Sequence, residues 1–191
     1  MKTLMLASLL TLSIAQAGTL VVREDYQDGR EPKLAAGVIL PKVEVWAFSQ
    51  PDFPIYEVGR MERWQLGARS SVLAGGYISY WDRPQQLYLE PYSIWRTTIG
   101  TTILTAKLAA YMPLNGGAWQ AYSDQMSITW PVGQNVTAGL TTRWWLMEGA
   151  KPSAGIGPMV TLKTGDLTWL ARATFQNNRV TVVRLEAKLA F

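Results

Sequence analysis

The chain has 191 residues, 48% of them hydrophobic, with 18 Lys plus Arg against 14 Asp plus Glu. A net charge of +4 without any basic cluster argues against nucleic-acid binding. The chain contains no Cys and no His, which leaves no disulfide framework, no thiolate metal site and no lipoprotein attachment residue. No metal or cofactor is expected.

In chain order, residues 1–17 come first. Lys2, a short apolar run and Ala15-Gln16-Ala17 ahead of Gly18 have the layout of a cleavable secretory signal, with Ala15 and Ala17 at the cleavage site. The apolar run is too short to cross a bilayer comfortably as a helix. The expected organisation is therefore a signal peptide over 1–17 and one domain over 18–191. Removing the signal takes away Lys2, so the remaining 191 − 17 = 174 residues carry a net charge of 17 − 14 = +3.

The domain reads as strand after strand. In its first third, strands are expected over 19–26, 34–40, 43–48, 54–67 and 71–81, with Pro41-Lys42 as a tight turn. Both parities of 56–66 contain charge (Arg60 and Glu62, or Glu57 and Arg63), so this strand cannot be phased, and a bulge is expected within it. From residue 86 the alternation assigns faces, because side chains in a strand point to opposite sides with period two. Leu87, Leu89, Trp95, Leu104, Leu108, Met112, Tyr122, Ile128, Trp130, Leu140, Trp144, Ile156, Val160, Leu162 and Trp169 fall on an apolar face. The opposite face carries Glu90, Arg96, Lys107, Arg143, Lys163 and Arg172. Asp124 falls on the apolar side, an exception to the pattern. Gly and Pro breakers separate the runs, as at Asp82-Arg83-Pro84, Asn115-Gly116-Gly117, Pro131-Val132-Gly133 and Lys163-Thr164-Gly165-Asp166.

The last segment alternates Thr181, Val183, Leu185, Ala187, Leu189 and Phe191 against Arg184, Glu186 and Lys188. It resembles the closing strand of a bacterial outer-membrane β-barrel, in which a terminal Phe and apolar residues at every second position form the assembly signal. The resemblance implies that Val183, Leu185, Ala187, Leu189 and Phe191 carry that signal. It also implies placement in the cell outer membrane, with outer-membrane lipid and the barrel-assembly machinery as partners. Nine Trp and eight Tyr against four Phe suit the aromatic girdles of such barrels.

The expected fold is all-β: a closed antiparallel transmembrane β-barrel of 12 strands, with 10 or 8 as alternatives. Twelve strands in 174 residues leave 174/12 = 14.5 residues per strand and connection, and a membrane strand needs about 9–11. An even count places both chain ends on the periplasmic side. The periplasmic turns are then expected at Pro41-Lys42, 67–70, Gly100, 131–135 and 163–166. Outer loops are expected near 28–32, 49–54, 82–85, 113–117, 148–153 and Asn177-Asn178.

The inward set over the last two-thirds is Arg96, Lys107, Arg143, Lys163, Arg172, Arg184 and Lys188, opposed only by Glu90 and Glu186. These nine residues are the expected pore lining. Arg172 and Arg184 lie about equally far from the Asn177-Asn178 turn, so they should be neighbours across the ladder. Like charges in that position destabilise a sheet, whereas rings of Arg and Lys suit an anion pore. The expected function is a porin-like channel for small, preferentially anionic solutes. The plan resembles that of the small twelve-stranded oligogalacturonate-type porins, with local echoes in Leu20-Val21-Val22-Arg23-Glu24-Asp25-Tyr26 and Leu89-Glu90-Pro91-Tyr92. A non-conducting barrel with a filled lumen is the main alternative. A lipid-modifying barrel enzyme or a soluble periplasmic β-protein ranks below it, since without His or Cys a general base would have to be an isolated carboxylate.

Overall fold

The computed structural model describes residues 18–27, 31–49, 54–83, 85–176 and 179–191. The expected signal peptide, the Asn177-Asn178 turn and parts of the 28–32, 49–54 and 82–85 loops lie outside them. The described residues form twelve strands in chain order: β1 (Thr19–Tyr26), β2 (Lys33–Ile39), β3 (Val43–Ser49), β4 (Pro54–Gly67), β5 (Ser70–Trp81) and β6 (Gln86–Ile99), then β7 (Thr102–Pro113), β8 (Gln120–Pro131), β9 (Val136–Met147), β10 (Ser153–Thr164), β11 (Leu167–Gln176) and β12 (Arg179–Ala190). Each strand pairs antiparallel with its chain neighbour, and β1 pairs with β12, so the sheet closes on itself. The seam is sealed by two backbone bonds, Gly18 N to Phe191 O at 2.9 Å and Phe191 N to Gly18 O at 3.0 Å. A closed ring leaves no sheet edges along its seam, which is how barrels satisfy the backbone without a second layer.

The outer face is apolar. Val22, Val58, Trp95, Ile99, Ile156, Trp169, Leu185 and many like them are exposed there. The inner face holds the polar residues and a tyrosine-rich core of Met61, Tyr77, Tyr88, Tyr92, Tyr111 and Tyr122. Glycine makes room for these rings. A Cβ on Gly59 would come within 2.1 Å of the Tyr77 ring on the adjacent strand, so only glycine lets Tyr77 lie flat against β4.

Two strands differ from the sequence expectation. In β8 the ladder shifts register between Thr105 and Ala109 on the β7 side and between Ser123 and Met126 on the β9 side. The extra residue of a bulge reverses parity, so Gln120, Tyr122 and Asp124 point inward ahead of it and Ser127 and Thr129 point inward after it. Tyr122, expected on the apolar face, is therefore inside, and Asp124 is no exception to the pattern. In β4 the reverse holds. The irregularity lies at the end of the 56–66 stretch, at Leu66 between Gln65 and Gly67, so one parity holds through the strand before it. Glu57 and Arg63 face inward, while Arg60 and Glu62 face outward.

Candidate solute pathway through the barrel

The interior of the ring divides into two walls of different chemistry. On β3 to β8, carboxylates are held by aromatic donors. Tyr77 and Trp46 both donate to Glu44, the latter from Nε1 at 2.9 Å. Tyr111 donates to Glu57 at 2.9 Å, and Tyr122 donates to Glu90. The rings stack as they do so, Tyr77 on Tyr92 at 4.9 Å, Tyr111 on Tyr122 at 5.4 Å and Tyr122 on Trp145 at 4.7 Å between centroids. Offset rings at this spacing add to simple burial, so the wall is fixed as well as polar. Glu90 is 1% exposed beneath it.

The other wall is guanidinium-rich. Arg184 on β12 grips Asp25 on β1 with two parallel bonds, Nε to Oδ1 at 2.5 Å and Nη2 to Oδ2 at 2.9 Å. Its third nitrogen, Nη1, reaches Asp124 Oδ2 at 2.9 Å. Since β8 and β12 are four strands apart in the ring, this contact crosses the interior. Arg172 on β11 donates to the Asp124 backbone carbonyl and brings Nη2 to 3.7 Å from Oδ2, while Lys107 Nζ sits 3.5 Å from Oδ1. The β8 bulge thus delivers one carboxylate into a cage of three cations from three strands. Arg172 and Arg184 are direct partners across the β11–β12 ladder, and Asp124 is the anion between them.

Two cavities flank this strut. One, of about 330 Å³, runs along β1 to β9 and meets both walls. The other, of about 650 Å³, opens at the rim that carries Gly18 and Phe191, and reaches the turn formed by Pro131, Gly133, Gln134 and Asn135. Gln125, Arg184, Glu186 and Lys188 line both, so the cavities meet at the strut.

All nine residues expected to line a pore border these cavities: Glu90, Lys107 and Arg143 the first, Arg96, Lys163 and Arg172 the second, and Arg184, Glu186 and Lys188 both. The expected opposition by Glu90 and Glu186 alone is incomplete. Asp25, Glu44, Glu57 and Asp124 are inside as well. The first three belong to β1, β3 and β4, ahead of the last two-thirds of the chain, and the change of parity in β8 masks the fourth. The smaller cavity is therefore nearly balanced, with Arg23, Lys33, Arg63, Lys107, Arg143, Arg184 and Lys188 against Asp25, Glu44, Glu57, Glu90, Asp124 and Glu186. The larger is lined by Arg96, Lys163, Arg172, Arg184 and Lys188 with Glu186; Lys188 pairs with Glu186 at 2.9 Å, and Arg172 and Arg184 with Asp124, so its surplus is Arg96 and Lys163. Among the described residues no group of His, Cys, Asp and Glu could hold a metal ion.

Solved structures share this architecture. A KdgM porin superposes with a TM-score of 0.68 at 12% identity, over 91% of this chain and 99% of the porin. The fold is that of a small porin. The KdgM porin solved in complex with disordered oligogalacturonate gives 0.69 at 13% identity, over 91% and 99% of the two chains. A NanC porin gives 0.59 at 10%, over 90% and 97%. No family model matches the chain, and no curated protein matches its sequence. At these identities the likeness to the porins is one of backbone.

Proposed function

We propose that this porin barrel is an outer-membrane channel for small solutes, with anions favoured at its periplasmic mouth. The larger cavity carries the reading. Lys188 pairs with Glu186, and Arg172 and Arg184 with Asp124, which leaves Arg96 and Lys163 as the surplus cations of that cavity, and these concentrate anions at the mouth by simple attraction. The apolar outer face supports placement in a bilayer, and the solved KdgM and NanC barrels supply a precedent for the fold. The signal-like residues 1–17 would export the chain, and the alternating strand ending at Phe191 would be its handle for the barrel-assembly machinery.

Planar-bilayer recording of the purified mature barrel under a salt gradient tests the reading, with a reversal potential on the anion side as the expected result. A cation-side potential would overturn the preference, and the absence of any current would overturn the channel. The strut favours a second reading, since Asp124 held across the interior by three cations narrows the passage where the cavities meet. On that reading the barrel is closed as folded, and current appears only in the Asp124→Ala variant.

A further inference from the structure

Strands β1, β2 and β3 have 8, 7 and 7 residues, while β4 to β12 have 10 to 14. A membrane strand needs about 9–11, so this wall is too short for a bilayer of ordinary thickness. The shortfall is visible at the rim that carries Gly18 and Phe191. There, β6 runs 99 − 97 = 2 residues beyond its last pair with β5, and β10 runs 164 − 162 = 2 beyond its last pair with β9. The last β3–β4 pair is Val43 with Arg60, one backbone bond follows from Met61 N to Lys42 O at 3.1 Å, and β4 continues to Gly67, 67 − 60 = 7 residues on. The β2–β3 hairpin therefore stops short and leaves a notch beside lower β4.

A second observation falls on the same place. Among the strand residues whose side chains are described, only Glu24, Arg60 and Glu62 are charged and point outward. Arg60 and Glu62 sit at the notch, and Lys42 in its turn joins them. Arg60 Nη2 at 3.2 Å and Lys42 Nζ at 3.4 Å share the single oxygen Glu62 Oε1, with the two cationic side chains 73% and 64% exposed. Charges on the outer face of a barrel are costly in hydrocarbon and nearly free at the interface. Short strands and outward charges both require the polar boundary to rise here, and two cations with one shared carboxylate keep a net positive charge towards the lipid.

We propose that this notch is a phospholipid headgroup seat: Lys42 and Arg60 hold the phosphate of an anionic lipid, and the bilayer thins locally against β1 to β3. This rests on the barrel being membrane-inserted and is independent of whether it conducts. A protein partner is the rival occupant, since lower β4 lacks a neighbour on one side and could accept an added strand. The outward charges favour the headgroup, because an added strand needs free backbone groups and gains nothing from Lys42 or Arg60.

The test uses the mature barrel in phosphatidylcholine nanodiscs containing a minor fraction of phosphatidylglycerol, with native mass spectrometry of the lipids that stay bound. Phosphatidylglycerol should be enriched about fivefold over its bulk fraction, the factor that corresponds to one net basic charge near an anionic surface. The double variant Lys42→Gln with Arg60→Gln should lose the enrichment. Gln65→Pro, which blocks strand addition on β4, should keep it. Heat-modifiable gel migration confirms that each variant is folded, and the single substitutions Lys42→Gln and Arg60→Gln, each removing one of the two cations, replace the double variant if it fails to fold. Unchanged enrichment without the two cations overturns the proposal, as does loss of enrichment in Gln65→Pro. Failure of the wild-type protein to float with vesicles would sink the membrane reading itself, whereas flotation without lipid preference sinks this proposal alone.

Discussion

The two inner walls solve the same problem, a charge inside a narrow ring, in opposite ways. The inward carboxylates of β3, β4 and β6 are matched to neutral donors: Glu44 to Tyr77 and Trp46, Glu57 to Tyr111, Glu90 to Tyr122. Across the interior the carboxylates are matched to full cations, Asp25 and Asp124 to Arg184, Arg172 and Lys107. The neutral match is local, made between nearby strands and backed by ring stacking. The ionic match is long-range and ties β1, β7, β8, β11 and β12 together. Loss of one neutral partner should be absorbed locally, whereas loss of one ionic partner should be felt all round the barrel.

The largest effect is expected at Asp124. Replacing it with Ala leaves Arg172, Arg184 and Lys107 crowded without their shared anion, and breaking a buried ionic network in this way costs about 3–5 kcal/mol. The temperature at which the folded band is lost on semi-native gels should fall steeply, and the single-channel conductance should rise. A variant as heat-resistant as the parent would show that the two walls are energetically alike.

Next comes the pair Arg172→Glu with Arg184→Glu, which turns two of the five cations of the larger cavity into acids. The reversal potential should move to the cation side. If it stays on the anion side, the ionic wall does not set selectivity.

Glu90→Gln should matter less. Tyr122 keeps an acceptor, and a change confined to one hydrogen bond costs about 1 kcal/mol. A urea titration in detergent reads this, and a loss as large as that of Asp124→Ala would erase the contrast between the walls. The smallest effect is expected for Tyr88→Phe, which removes only the 2.6 Å bond to Gln86 near the opposite rim. By the same titration it should cost about 0.5 kcal/mol.

Most of the barrel could be read from the residues. From Gln86 onward, β8 apart, the apolar and polar faces are continuous, because each strand has one greasy and one wet side, and β6 and β9 lie as their parity requires. β1 and β4 also occupy the expected residues. What could not be read was phase where two parities were equally plausible. In β4 the decision is made by its neighbours: Gly59 must face inward to seat Tyr77, which fixes Glu57 and Arg63 inside and sends Arg60 and Glu62 out. In β8 a single parity was imposed on a strand that changes parity, and the misplaced Asp124 was the trace of that change. The composition of the candidate site suffered accordingly. The cations of β6 to β12 are visible as a set with Glu90 and Glu186, but the remaining carboxylates, Asp25, Glu44, Glu57 and Asp124, lie on β1, β3 and β4 and beside the bulge.

The ladder between β1 and β12 joins Thr19 to Ala190, residues separated by nearly the whole chain. Every other pairing in the ring is between chain neighbours joined by a connection, so this one contact carries the largest loop-closure entropy and forms last. Until it forms, β1 and β12 present bare hydrogen-bonding groups to any other unfinished sheet. Folding is therefore committed only at its final step, and an escort that shields those two strands in the meantime would govern yield more than any single interior contact.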